Sequence, residues 1–404
     1  MNPSAPPPTA NPPALLFLAP GDVRKARVEP ISWMRTCEAF ATRGLEVTLA
    51  SLKVRFPDAV RGDEIWSHFG IAPTFRVVGV PTPLTTRSSA GAQRTATTLA
   101  SAGLTPWALG SAYARRRRLI IYARTPAMLA PFSAIRRLVP GRHRLVLVYE
   151  THTLPPTRAR RIVGSADLVV VNSRRLEHDV ATQLGLQPKR VLHAPLPAYA
   201  PTRVHSKENA RRELVLPQEA SIACYTGKMT DEQCGFLLRV GALIRDRIPG
   251  SLLVLVGGNP EILPRVKRRR DALGLRDAVL LSGFVSPATA ALYQSAADVL
   301  LLYMDSDLPH FEYCTPAKGL DYQAAGRPIV ARDLPLFEEV FGADGERAVR
   351  VSDVTPEGFA HAIERTLTLE DGGRAMTDRA LAWIADRSWQ ARVDAVLDAL
   401  DHAR

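Results

Sequence analysis

Short, wholly apolar runs alternate with segments of helical spacing along most of the chain. Residues 14–19 (ALLFLA), 75–80, 119–123, 145–149 and 166–171 are too short for helices and apolar nearly throughout, which predicts strands covered on both faces. Between them, Ile31, Met34, Cys37 and Ala41 recur at helical spacing over 30–43, and Gly44 closes that helix before a strand at 46–50. The Ser/Thr/Ala/Gly-rich segment 85–110 predicts partial helix, and Asn172-Ser173 caps a helix over 174–183. A proline-rich segment, APLPAYAP at 194–201, reads as a linker, after which the alternation restarts. Strands are predicted at 222–226, 252–256 and 279–283, helices at 236–245 and at 265–270, the latter basic and solvent-facing, and a last helix at about 388–403. The pattern predicts an α/β protein with two parallel sheets, each with covered faces, and a cleft between the halves.

The stretch 310–330, HFEYCTPAKGLDYQAAGRPIV, departs most from generic globular sequence. An apolar strand at 297–304 precedes it and a short strand at 328–331 ends it. Thr315 is placed to cap a helix, Pro316 fits the first helical position, and Gly326 fits the left-handed position after the last turn. A helix N-terminus at the carboxyl end of a parallel strand offers unpaired amides and partial positive charge, which suits a phosphate. The same unit also occurs in α/β proteins with no ligand there. The first loop, GDVRKARVEP, is basic but has no G-x-G-x-x-G, so a dinucleotide fingerprint is absent.

A chain of 404 residues favours two domains. The boundaries expected are a disordered Pro-rich tail at 1–13, a first domain at 14–195, a linker at 196–205, a second domain at 206–376, and terminal helices at 377–404 that cross back toward the first domain. The formal charge of +12 favours anionic partners: nucleotides, nucleic acid or an acidic membrane surface. Nucleic acid is the weakest of these, because the basic clusters lack interleaved aromatics. The run Arg115 to Arg118 reads as a solvated helix end or as a contact to phosphate or lipid. The four cysteines lack metal-ligand spacing, and the N-terminus lacks the basic-then-apolar pattern of a signal peptide, so a cytoplasmic setting is expected. With no run long enough to span a bilayer, membrane contact would be peripheral, through basic patches at the inner face. Asp305-Ser306-Asp307 reads as a solvated loop, with a metal-holding D-x-D as the rival.

TPAKGLDYQAAGRPIV at 315–330, the turn Gly227-Lys228, Ser282-Gly283-Phe284-Val285 and Glu150-Thr151-His152 stand in an order that resembles the retaining GT-B glycosyltransferases of family 4, or glycosyl transferases group 1. The resemblance covers most of the chain after Ala14 and is strongest over 222–340. It implies a GT-B architecture, two Rossmann-like domains facing each other across a cleft, with acceptor held by the first and donor by the second. It implies transfer of a sugar from a nucleotide diphosphate sugar, with retention of configuration, no metal and no cofactor. The acceptor would be a glycan, a lipid-linked intermediate or a small metabolite. Carried over position by position, the donor would meet Gly227, Lys228, Phe284, Val285, Glu312, Thr315, Pro316, Ala317, Lys318 and Asp321. Lys228 and the amides of Ala317 and Lys318 would take the growing charge of the leaving diphosphate, Asp321 the ribose, and Phe284 with Val285 the base. On the acceptor side stand Gly21, Asp22, Arg124, Glu150 and His152. His152, Lys228 and Asp321 are the expected catalytic residues, with His152 positioning or hydrogen bonding. Three departures accompany the resemblance. Asp321 stands where the family has glutamate, Glu312 is one residue off register with Tyr313 in its place, and Cys234 replaces a phosphate-binding lysine, for which Lys318 or Arg265 is the substitute. These substitutions motivate an alternative, a degenerate protein that binds a nucleotide sugar or a partner without turnover.

Overall fold

A computed structural model describes residues 12–24, 28–55, 64–85, 89–114, 116–139, 142–198, 205–258, 261–304, 312–313, 315–343 and 345–402. The chain divides into two compact units, Met1–Pro195 with Trp389–Arg404, and Leu196–Ser388. Asp305, Asp307 and His310 lie outside the described residues.

Seven strands form the sheet of the first unit: β1 (Ala14–Ala19), β2 (Glu46–Arg55), β3 (Arg76–Thr85), β4 (Leu119–Ala123), β5 (Leu145–Thr151), β6 (Leu168–Val171) and β7 (Val191–His193). All are parallel, in the order β3-β2-β1-β4-β5-β6-β7. Every residue of β1, β4, β5 and β6 is buried, the physical counterpart of their uninterrupted apolar runs. The second unit repeats the plan with six parallel strands: β8 (Ser221–Gly227), β9 (Ser251–Gly257), β10 (Val279–Gly283), β11 (Val299–Leu302), β12 (Ile329–Arg332) and β13 (Val349–Val351), ordered β10-β9-β8-β11-β12-β13. Each sheet therefore reverses its winding once, between β1 and β4 in the first and between β8 and β11 in the second. Loops leaving two such strands part company at the carboxyl edge, and that opening is where α/β sheets hold ligands.

A matching device sets strand register at the opposite edge of both sheets. Asp167, just before β6, accepts the Leu147 amide at 2.8 Å, donates its own amide to the Leu147 carbonyl at 2.8 Å and pairs with Arg136 at 2.5 Å. Asp298, just before β11, accepts the Ile222 amide at 2.7 Å, donates to the Ile222 carbonyl at 2.9 Å and pairs with Arg211 at 2.6 Å and Lys207 at 2.8 Å.

The last helix, Trp389–His402, belongs to the first unit. Trp389, Val393, Val396 and Leu400 form its buried stripe, and Arg392 lies in the same stripe. Asp394 and Asp401 hold Arg43 and Arg118. Arg118 and its neighbour Arg117, which pairs with Glu46 and Ser111, are thus not a solvated helix end. Their acidic partners lie 71 and 283 residues away in sequence, a distance that a local reading of the four-arginine run does not cover. Arg115 lies outside the described residues.

Candidate functional site

The reversal point of the second sheet brings together the turn after β8 and the helix Ala317–Ala324 after β11. β8 ends on Gly227 at φ 127° and β9 on Gly257 at φ 100°, backbone conformations that L side chains rarely adopt. A Cβ on Gly257 would stand 2.6 Å from the Gly227 carbonyl oxygen, to which Gly258 donates its amide at 3.0 Å. A Cβ on Gly227 would stand 3.3 Å from the Lys318 ammonium. Bare backbone thus lines this part of the edge, with one cation over it.

Lys318 Nζ donates to Tyr225 Oη at 2.5 Å and lies 4.2 Å from that ring's centre. Tyr225 Oη in turn donates to the Lys228 carbonyl at 3.1 Å, tying the turn to the cation. Among the described residues Lys318 has no carboxylate partner, and burial lowers its pKa to about 7. The side chain of Lys228 is exposed. The helix is pinned from below: the Thr226 amide donates to Tyr322 Oη at 2.8 Å, and Gly319 sits where a Cβ would meet Phe341 at 3.0 Å.

The helix starts one residue later than expected. Pro316 is its N-cap, extended at ψ 111°, no side-chain cap bond is made, and the Pro316 carbonyl accepts the Gly319 amide at 2.9 Å. Thr315 therefore does not cap it, and Ala317, not Pro316, is the first helical residue. Closing the first turn through the Pro316 carbonyl fixes the start there, while Thr315 is buried. Ala317 and Lys318 occupy the first two helical positions, whose amides have no partner within the helix. Gly326 takes the left-handed position at φ 63°, as expected.

Around this centre, Phe284 follows Gly283 (φ 71°) at the end of β10 and is 58% exposed, while Val285 packs on the core. Asp321 is half-buried one turn into the helix, and Glu312 is exposed. Cys234 is buried, and its surroundings push the thiol up to about 11, mainly through burial. Arg265 pairs with Asp231 at 2.9 Å, and Arg269 lies where a Cβ on Gly235 would come within 2.6 Å of its guanidinium. Of the two cations expected to replace a lysine at 234, Lys318 is the one standing against Gly227.

In the first unit, the loops after β1, β4 and β5 carry the acceptor-side residues. Gly21 and Asp22 are tied down locally: the Gly21 carbonyl accepts the Leu52 amide at 3.1 Å, and buried Asp22 pairs with Arg24 at 2.6 Å. Glu150, at the end of β5, is the hub of a buried charge cluster. It accepts from Tyr122 Oη and from His152 Nε2 (2.8 Å), and Arg392 Nη2 lies 3.2 Å and Arg124 Nε 3.8 Å from it. Burial alone would raise its pKa, but Arg392, then Arg124 and His152, hold the carboxyl well below the usual range. Arg124 also donates to Ser32 Oγ at 3.0 Å and lies 3.0 Å from both ring nitrogens of His152. Because Nε2 donates to a carboxylate, Nδ1 is the nitrogen that accepts from Arg124.

Burial, then the Arg124 charge, lowers the His152 pKa to about 4, so the ring is neutral at pH 7. The unfolded chain takes up this proton near pH 6.5 and the folded chain only near 4, so the stabilisation is complete above 6.5 and is lost as pH falls toward 4. Unfolding midpoints in urea are expected to fall over that window, by an amount on the order of 3 kcal/mol in total, and to flatten there in His152→Gln. A wild-type midpoint constant from pH 6.5 to 4 would contradict this assignment.

Arg392, Tyr122 and Tyr225 escaped the sequence reading, and the pair Gly257-Gly258 reads there only as the turn that ends a strand. Arg392 left one signal, a charged residue in an otherwise apolar helical stripe. The tyrosines left none, since each sits in a run that reads only as buried strand.

Residues 220–369 match the family model described as Glycosyl transferases group 1, the family that the motifs resemble. A D-inositol 3-phosphate glycosyltransferase of Corynebacterium glutamicum is 24% identical over 279 residues, which are 61% of this chain and 64% of the relative. The chain thus spans slightly less than two thirds of that relative's length. Among solved structures, sucrose-phosphate synthase from Thermosynechococcus elongatus superposes with a TM-score of 0.73 at 17% identity, covering 97% of this chain and all of the other. HepE of Anabaena, in complex with UDP and glucose, gives 0.63 at 14% identity, covering 95% and 99%. The fold is the two-domain, Rossmann-like GT-B architecture.

Proposed function

We propose that this chain is a glycosyltransferase that moves a sugar from a nucleotide diphosphate sugar to an acceptor hydroxyl, with retention of configuration and without a metal ion. The observation that carries the reading is the half-buried Lys318 ammonium. It has no carboxylate among the described residues, it stands over the glycine-lined end of β8, and it lies inside the segment that matches the family model. A cation kept without a counter-ion beside a helix N-terminus is arranged for an anion that arrives as ligand. In the proposed reaction the diphosphate gains negative charge as the glycosidic bond breaks. Lys228, Lys318 and the first amides of the helix at Ala317 and Lys318 meet that charge, supplying the positive field that a divalent ion supplies in other enzymes. Phe284 offers an exposed ring to the base, and Asp321 a carboxylate to the ribose.

On the acceptor side Arg124 is the proposed contact. Neutral His152, both ring nitrogens engaged, holds Arg124 in place and does not act as a base. The relatives named for D-inositol 3-phosphate and the neighbour holding UDP and glucose support a nucleotide-sugar donor and a small polar acceptor for this chain as well.

A thermal-shift screen with UDP-, GDP-, ADP- and dTDP-sugars tests the donor site, because a ligand bound only by the folded state raises the midpoint. One nucleotide class is expected to shift it, Lys228→Ala to abolish the shift, and EDTA to leave turnover unchanged. No shift with any of the four would refute the donor site, and retention is read from the anomeric proton of the product.

A further inference from the structure

The formal charge of the chain is not spread over it. Between residues 65 and 149 there are twelve arginines, no lysine, no aspartate and no glutamate, so this one stretch carries the whole net charge of +12 and the remainder sums to zero. Within it, Arg117, Arg118, Arg124 and Arg136 are used inside the fold. Arg94, Arg116 and Arg137 are exposed and have no ion pair among the described residues. Arg87 and Arg115 lie outside the described residues.

The helix Ala90–Ala114 in this stretch has its polarity reversed. Its inner face carries hydroxyls: Ser101 donates to the Met128 carbonyl at 2.5 Å and Thr105 to the Ser101 carbonyl at 3.3 Å, both buried. Beyond Arg94, its solvent face carries no charge over about 22 Å, from Thr95 to Gly110. Leu99 is 67% exposed and Trp107 48%, with Gly103 and Pro106 between them. A solvated helix normally shows the opposite arrangement. The neighbouring helix Pro126–Arg136 runs the same way, since both lead from the carboxyl to the amino edge of the sheet, and the Ser101 bond to Met128 sets their alignment. Leu138, 79% exposed, and Arg137 therefore emerge beside the Trp107 end, as does Arg116.

We propose that this helix face is a docking surface for an anionic lipid bilayer, lying in the interface with Leu99, Trp107 and Leu138 in the headgroup region and the unpaired arginines against acidic headgroups. Uncharged helix surface bearing a tryptophan, rimmed by cations, suits that boundary, where apolar and electrostatic terms act together. A protein partner that matched +12 by charge alone would leave the apolar stripe unexplained. The surface lies on the helical layer and not at the carboxyl edge, so the inference stands independently of the donor site.

The test is sedimentation of the full chain with large vesicles of phosphatidylcholine alone and of phosphatidylcholine with 30–40% phosphatidylglycerol, about the acidic fraction that gives a strongly negative surface. Binding only to the acidic vesicles is expected, weakened by salt. Replacing Arg94, Arg116 and Arg137 by Gln should weaken it about fivefold per arginine. Leu99→Asp and Trp107→Asp should each weaken it at least tenfold, roughly the cost of moving a charge into the interface. Unchanged circular dichroism and melting midpoint in these exposed-site variants separate lost docking from lost folding. Equal binding to both vesicle types, no binding to either, or acidic-vesicle binding untouched by the aspartates, as for a purely electrostatic or nucleic-acid contact, would overturn the proposal. None of these readouts depends on sugar transfer.

Discussion

Arg392→Ala is expected to lower folding stability by about 3–5 kcal/mol, because it strands a carboxylate in the interior of the first unit. Both partners are sealed from solvent, Arg392 at 3% and Glu150 at 5% side-chain exposure, and Arg392 stands first among the charges that keep Glu150 ionised. The cost is that of the orphaned charge and not of the pair as such, so Glu150→Gln combined with Arg392→Met should recover more than half of it. Urea unfolding at pH 7 reads both variants. A loss below about 1 kcal/mol in Arg392→Ala would show that Arg124 and Tyr122 hold Glu150 unaided. The same substitution removes a cation that depresses the His152 pKa, so the acid window predicted for that residue should move upward.

Lys318→Met should reduce turnover by roughly a hundredfold to a thousandfold, the usual consequence of removing one preorganised group from a developing anion. Methionine keeps the apolar stem against Tyr225 and removes only the charge, so the fold should persist. A pH signature accompanies this. With a free pKa near 7, Lys318 is charged below that value and ready for the diphosphate; above it, binding must take up a proton, and donor affinity should fall as pH rises from 7 to about 9. In Lys318→Met that slope should vanish. Calorimetry in buffers of different ionisation enthalpy reads the proton uptake directly. Turnover within threefold of wild type would remove Lys318 from the proposed mechanism.

The scaffold was legible because buried parallel strands write themselves as uninterrupted apolar runs. Residues 14–19 and 119–123 coincide with β1 and β4, and Ser173 caps the helix Arg174–Leu184 as read. Turn chemistry was equally legible at Gly44 and Gly326, both left-handed. What escaped was long-range charge. Nothing local tells that Arg117 and Arg118 reach Glu46 and Asp401, or that a helix near the end of the chain supplies Arg392 to a strand end at Glu150. The helix at 317 was misplaced by one residue for a subtler reason. Thr-Pro is a common helix entry, but here the Pro316 carbonyl closes the first turn, and only the backbone reveals that.

The aspartates at 167 and 298 bear on how such a protein changes over time. Each clamps the start of an interior strand to its neighbour, so strand alignment is settled at the amino edge, away from the carboxyl edge that carries the candidate site. Mutational drift at the opposite edge is then decoupled from foldability. Substitutions at Asp321 or Cys234, which take no part in either clamp, are therefore expected to leave unchanged which strand lies beside which.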